Sequence, residues 1–107
     1  MAGAPAVNDV YGALAHPIRR QLVTALATGE KAVQELAAPL AVSRPAVSQH
    51  LAVLRAVGLV EEERAGRERR YRLRPEPLAE VRDWLAALDR FWADGLARLG
   101  AHLEDRS

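Results

Sequence analysis

The 107-residue chain predicts a mainly α-helical domain with a two-stranded β-hairpin wing: a winged helix-turn-helix in which four helices precede the hairpin and one long helix follows it. Three observations predict this. Apolar residues recur at helical spacing as far as Val57, the period then shortens so that Tyr71 and Leu73 alternate with Arg70, Arg72 and Arg74, and helical spacing returns from Leu78. At this length residues 1–107 form one domain, near the size at which a fold leans on a second subunit.

The elements follow in order. Val7, Val10, Tyr11 and Leu14 place a short helix over residues 7–15, with Asn8 or Asp9 to start it. Pro17 is tolerated in a first helical turn, and the stripe Ile18, Leu22, Ala25 and Leu26 carries a second helix toward Gly29. After "TGEK", Val33, Leu36, Ala37 and Leu40 mark a third helix that Pro39 keeps short. Ser43 is an N-cap for a fourth, residues 44–57, which admits Pro45 in its first turn and stops at Gly58. Residues 59–74 form the hairpin, and Arg67, Arg69 and Arg70 crowd its turn at Gly66. Leu78, Val81, Leu85, Leu88, Trp92, Leu96, Leu99 and Leu103 then recur at spacings of three or four through one helix over 76–103, roughly 27 residues and ~40 Å long. Such a helix outruns a small core. Trp84 and Phe91 widen its apolar face, as expected of a helix that packs on its own domain and on a second subunit.

Composition excludes several classes of function. No cysteine is present, which removes disulfides, thiolate metal sites and thiol nucleophiles. Half of the residues are hydrophobic, so the chain is not disordered. No apolar run approaches a membrane span and the N-terminus lacks signal-peptide character, so the expected location is the cytoplasm, with no membrane partner. No serine, histidine and acid converge, and Gly29 to Lys31 is not a phosphate-binding loop, so no enzyme is expected. The formal charge of +1 hides an uneven distribution. Residues 44–74 hold eight arginines against four glutamates, whereas residues 75–107 hold four arginines against seven acids.

The stretch "RPAVSQHLAVLR", Arg44 to Arg55, lies in that basic middle. Val47, Leu51 and Leu54 form a core stripe, and Arg44, Pro45, Ser48, Gln49, Ala52 and Arg55 lie on the opposite arc. Residues 33–57 thus read as a helix-turn-helix whose second helix enters the DNA major groove. Glutamine bonds adenine bidentately, arginine reads guanine or holds phosphate, serine adapts, and alanine leaves room for a thymine methyl. The hairpin arginines, Arg67 and Arg69 first and Arg70 next, are expected on the adjoining backbone or minor groove, and Arg72 and Arg74 to turn back toward Glu61, Glu62, Glu63 and Glu68. His50 sits within the apolar arc and reads as a hydrogen-bonded, half-buried structural histidine. His16 reads as a surface or capping residue, and Arg19 and Arg20 are within reach of phosphate.

These residues carry a family resemblance. "SRPAVSQHLAVLRAVGLV" followed by "GRERRYRL" resembles the ArsR/SmtB family of bacterial winged helix-turn-helix transcriptional regulators, over roughly residues 10–103. The resemblance implies a homodimer built from the first and last helices, through Val10, Tyr11 and Leu14 and through Leu85, Leu88, Trp92, Leu96, Leu99 and Leu103. It further implies repression at an inverted-repeat operator in double-stranded DNA until a signal releases it. Family sensors often place cysteines after a Glu-Leu pair in the third helix, and here Glu35 to Pro39 read "ELAAP". A second family metal site on the last helix is matched by Asp89, His102 and Asp105, but Phe91 stands where its first histidine belongs. No metal or other cofactor is therefore expected, and the effector is left open. Two alternatives stand beside this reading: a metal-responsive repressor using Asp89, His102 and Asp105, and a winged helix that serves only as a protein-interaction module.

Overall fold

Asp9 opens the first helix, α1 (Val10–Leu14), by accepting the Gly12 N–H on its carboxylate at 2.7 Å. The structure, a computed structural model, describes residues 9–89 together with 91, 94, 95, 98 and 100. In α2 (Pro17–Leu26), proline occupies the first turn and His16 is the N-cap, its Nδ1 accepting the Ile18 N–H at 3.1 Å. Strand β1 (Lys31–Ala32) leads into α3 (Val33–Ala37), where Glu35 reaches back to accept the Ala32 N–H at 2.8 Å. Ser43 caps α4 (Arg44–Ala56) by accepting the Ala46 N–H at 3.2 Å. Gly58 ends that helix at φ +80°, a left-handed conformation that a side chain would oppose. Strands β2 (Val60–Ala65) and β3 (Glu68–Leu73) follow, joined at Gly66 with φ +65°, and then α5 (Leu78–Ala87).

The sheet has the order β1-β3-β2, antiparallel throughout, with Val60 opposite Leu73, Glu62 opposite Tyr71 and Ala65 opposite Glu68. The expected hairpin is therefore present but gains a third strand, because Lys31 pairs with Tyr71 and Ala32 with Arg70. That strand ties the start of α3 to the wing.

The expected stripe of α4 forms the centre of the core. Val47, Leu51 and Leu54 are fully buried against Leu22, Leu26, Leu36, Leu59 and Tyr71. Burying a side chain of this size contributes about 1.5–3 kcal/mol, so the inner face of α4 fixes its rotation and leaves the other arc outward.

Two expectations at the ends of the chain need correction. Val10 is only 4% exposed and packs into the core of its own chain, which leaves it no surface for a second subunit. The single helix expected over 76–103 is interrupted. Helix α5 ends at Ala87, and Leu88 closes it with its N–H shared between the Trp84 and Leu85 carbonyls at 3.2 and 3.1 Å, a tightened last turn. Helical conformation is described again at Asp89 and Phe91. Trp92, Leu96, Leu99 and Leu103, all assigned to the subunit contact, lie outside the described residues, as do His102 and Asp105.

Candidate nucleic-acid interface

All six residues of the outer arc of α4 are exposed: Arg44, Pro45, Ser48, Gln49, Ala52 and Arg55. The N-terminal half of that face borders an open groove of about 570 Å³, lined by Gln34, Arg44, Pro45, Ser48, Arg67 and Arg69 among others. Helix α3, helix α4 and the wing turn thus converge on one concavity. Gln34 bridges them: its amide oxygen accepts from Arg44 Nη2 at 3.4 Å and its amide nitrogen donates to Glu68 at 3.1 Å. The sequence reading missed Gln34, whose role depends on a wing strand 34 residues away in the chain.

The wing arginines divide into two groups. Arg64 and Arg67 are exposed and pair with no carboxylate among the described residues. Arg70 is only 29% exposed at its side chain, and its guanidinium is held by Glu30 at 3.1 Å, Glu68 at 3.0 Å and Glu35 at 3.8 Å. It was expected among the DNA contacts; in this chain it ties the wing to the β1–α3 segment. Arg72 and Arg74 turn back to Glu61, as expected, and their hydrogen bonds hold its carboxyl below the usual carboxylate range.

Glu62 is the joint between α4 and the wing. One of its oxygens accepts from Arg55 Nη1 at 2.6 Å, and the other accepts the Tyr71 hydroxyl at 2.9 Å and faces Arg69 Nη1 at 3.5 Å. Burial, and then the Glu62 bond, push the Tyr71 hydroxyl above its ordinary range. Arg55 and Arg69 keep their other guanidinium nitrogens for a partner, since their side chains are 52% and 58% exposed.

Behind the exposed face, His50 is half-buried as expected, 3.2 Å from Arg19 and in ring contact with His16. Arg19 is half-buried and held by the chain, whereas Arg20 is exposed and engages the chain through one nitrogen. Arg19 Nε donates to the Ala13 carbonyl and Arg20 Nη1 to the Leu14 carbonyl, each at 2.7 Å, so both satisfy the open C-terminal end of α1.

A second exposed surface is apolar. Tyr11 on α1 meets Trp84 on α5 edge-on, with centroids 5.9 Å apart, and its hydroxyl donates to the Glu80 carbonyl at 3.2 Å. Desolvation, then Glu80 and two further acids, raise the Tyr11 hydroxyl pKa. Trp84, Leu85 and Phe91 remain 53%, 46% and 74% exposed, whereas Leu14 and Leu88 are half-buried. Asp89 is exposed.

Helices α3 and α4 in helix-turn-helix arrangement, followed by an arginine-rich wing beside the outward face of α4, define the class of winged helix-turn-helix regulators. Residues 16–62 match the family described as bacterial regulatory protein, arsR family. The chain is 52% identical over 89 residues to an HTH-type transcriptional regulator of Mycobacterium tuberculosis, an overlap of 83% of this chain and 80% of that protein. It is 43% identical over 76 residues to the HTH-type transcriptional repressor SmtB of the same organism, covering 71% of this chain and 56% of that one. A crystal structure of a possible transcriptional regulator for arsenical resistance superposes with a TM-score of 0.66 at 49% identity, over 83% of this chain and 90% of that chain. The chain belongs to the ArsR family of bacterial transcriptional regulators, and it is a regulator and not an enzyme. No described helix is long and apolar enough to cross a membrane.

Proposed function

We propose that the protein is a homodimeric repressor, acting in the cytoplasm, that binds an inverted-repeat operator in double-stranded DNA. One observation carries this reading: Arg44, Pro45 and Ser48 on the outward arc of α4 line the same groove as Arg67 and Arg69 of the wing, and Arg67 is exposed there. Ser48 and Gln49 read base edges; Arg44, Pro45, Ala52 and Arg55 flank them; and Arg67, with Arg69, holds phosphate. The exposed apolar residues Tyr11 on α1, Trp84 and Leu85 on α5, and Phe91 beyond it support a subunit contact at the two ends of the domain. Two copies related by a twofold axis place two recognition helices about one DNA turn, or a multiple of it, apart, hence the near-palindromic operator. Metal sensing through cysteine has no ligands in this chain, and the α5-side set lacks its first histidine because Phe91 stands there.

The test is selection from random duplex DNA at near-physiological salt, comparing the wild type with a Ser48→Ala, Gln49→Ala double variant. Recovery of an inverted repeat by the wild type alone supports the reading and supplies the operator. Enrichment of no sequence by either protein sinks it and favours the use of this winged helix as a protein-interaction module.

A further inference from the structure

Three polar side chains from two helices meet at the end of a third, on the side of α4 away from the groove. Arg19 of α2 donates from Nε to the Ala13 carbonyl at 2.7 Å and from Nη2 to the Gly12 carbonyl at 3.4 Å, while its Nη1 lies 3.2 Å from Nδ1 of His50 on α4. His16, the N-cap of α2, sets its ring 4.4 Å from that of His50, tilted by 47°. The joint links α1, which packs on α5, to the helix that carries Ser48 and Gln49.

The chemistry of the joint fixes its protonation. A guanidinium has donors and no acceptor, so His50 Nδ1 accepts, and the ring is neutral with its proton on Nε2. His16 Nδ1 accepts the backbone N–H of Ile18 at 3.1 Å. The titratable and charged groups that face His50 are His16 and Arg19, both from α2; α1 offers only carbonyls, already bonded to Arg19. Among the described residues no carboxylate bonds either imidazole, so nothing there compensates an added charge. Desolvation first, then His16 and Arg19, hold His50 below the ordinary histidine range.

We propose that Arg19 and His50 are positioning residues for operator binding, and that their hydrogen bond makes the protein release its operator on acidification. This inference rests on the operator-binding reading. A proton on His50 Nδ1 removes the acceptor and sets an N–H against the guanidinium. Helix α4 then loses its tie through Arg19 to α1, and Ser48 and Gln49, the two residues before His50, lose their setting on the exposed face of α4. The sign of the effect is diagnostic. Positive charge added near DNA by itself tightens binding to phosphate, whereas loss of the joint weakens it.

The experiment measures affinity of the full chain for its selected operator at constant salt between about pH 7.5 and pH 5.5, with far-UV circular dichroism recorded in parallel. Wild-type affinity is expected to fall about threefold to fivefold over that range, less than a histidine of ordinary range would give, while the helical signal is retained. His50→Gln offers an amide oxygen to Arg19 and does not titrate, so its affinity should change less than about twofold over the same range. His50→Ala should bind several-fold more weakly than His50→Gln at every pH. Arg19→Ala should weaken operator binding about tenfold while binding to unrelated duplex stays within about twofold; if that variant fails to fold, the two His50 variants still decide. Affinity that stays level or rises on acidification, or a full acid response retained by His50→Gln, overturns the proposal. Absence of operator binding at the higher pH overturns the operator reading itself, an outcome distinct from operator binding that ignores pH.

Discussion

The outward face of α4 and the wing differ in how much of their polar chemistry is left for a partner. On α4, Ser48 and Gln49 are exposed and their side chains make no hydrogen bond among the described residues. The wing holds more charge, yet Arg69, Arg70, Arg72 and Arg74 all meet carboxylates of their own chain. The formal charge of a segment is thus a poor measure of what it offers to DNA. Residues 44–74 carry eight arginines against four glutamates, but those four glutamates are positioned by the sheet register, and three of them engage arginines. Helix α4 is held by its apolar inner face and leaves Ser48 and Gln49 free of side-chain bonds among the described residues, whereas most wing arginines are held by carboxylates.

The largest effect comes from removing the support of the outward face of α4. Leu51→Ala deletes a fully buried side chain beneath Ser48 and Gln49, and is expected to cost ~2–5 kcal/mol of folding stability, read from urea denaturation. A loss near zero would mean that the core does not set the rotation of α4. Next, Gln49→Ala should lower operator affinity by about 1–3 kcal/mol and leave binding to unrelated duplex unchanged, measured by titration against both DNAs. An equal loss on both would show that Gln49 is not a base reader.

These two predictions rest on what local sequence shows well. Ser43, Pro45 and the stripe Val47, Leu51, Leu54 all lie within one helix, so cap, first turn and buried face are legible together. Strand β1 was not legible, because two residues cannot display an alternating period and its partner Tyr71 is distant in the chain. Arg19 shows the same limit. Its neighbours suggest a phosphate contact, but its geometry is set by the carbonyls of α1 and by a histidine 31 residues away. Val10 has the spacing of a surface helix, and only the packing of α1 against α2 and α4 reveals that it is buried. Sequence periodicity finds faces; it does not tell which polar groups will find each other.

A smaller effect separates the two kinds of wing arginine. Arg67→Ala should weaken binding to all duplex sequences and reduce the slope of log affinity against log salt by about one unit. Arg70→Ala should leave that slope nearly unchanged and instead cost up to ~1 kcal/mol of folding stability, because its partners are Glu30, Glu35 and Glu68 and its surroundings are partly exposed. If the salt slope falls equally in both variants, Arg70 leaves its carboxylates for DNA and the distinction between free and paired charge fails.

The smallest expected effect tests whether paired charge can be returned to the partner. Glu62→Gln keeps an oxygen for the Tyr71 hydroxyl but removes the negative charge that faces Arg55 and Arg69. Both guanidiniums then meet phosphate without a competing carboxylate, so binding to unrelated duplex should tighten by less than ~1 kcal/mol, in line with the modest strength of partly exposed ion pairs. Operator binding should gain less than that, because Arg55 and Arg69 also lose the group that orients them, and the ratio of operator to non-specific affinity should fall. Salt titrations on both DNAs measure this ratio directly. A ratio that rises in the variant would mean that Glu62 opposes the productive setting of these arginines, and that the tether between α4 and the wing works against recognition.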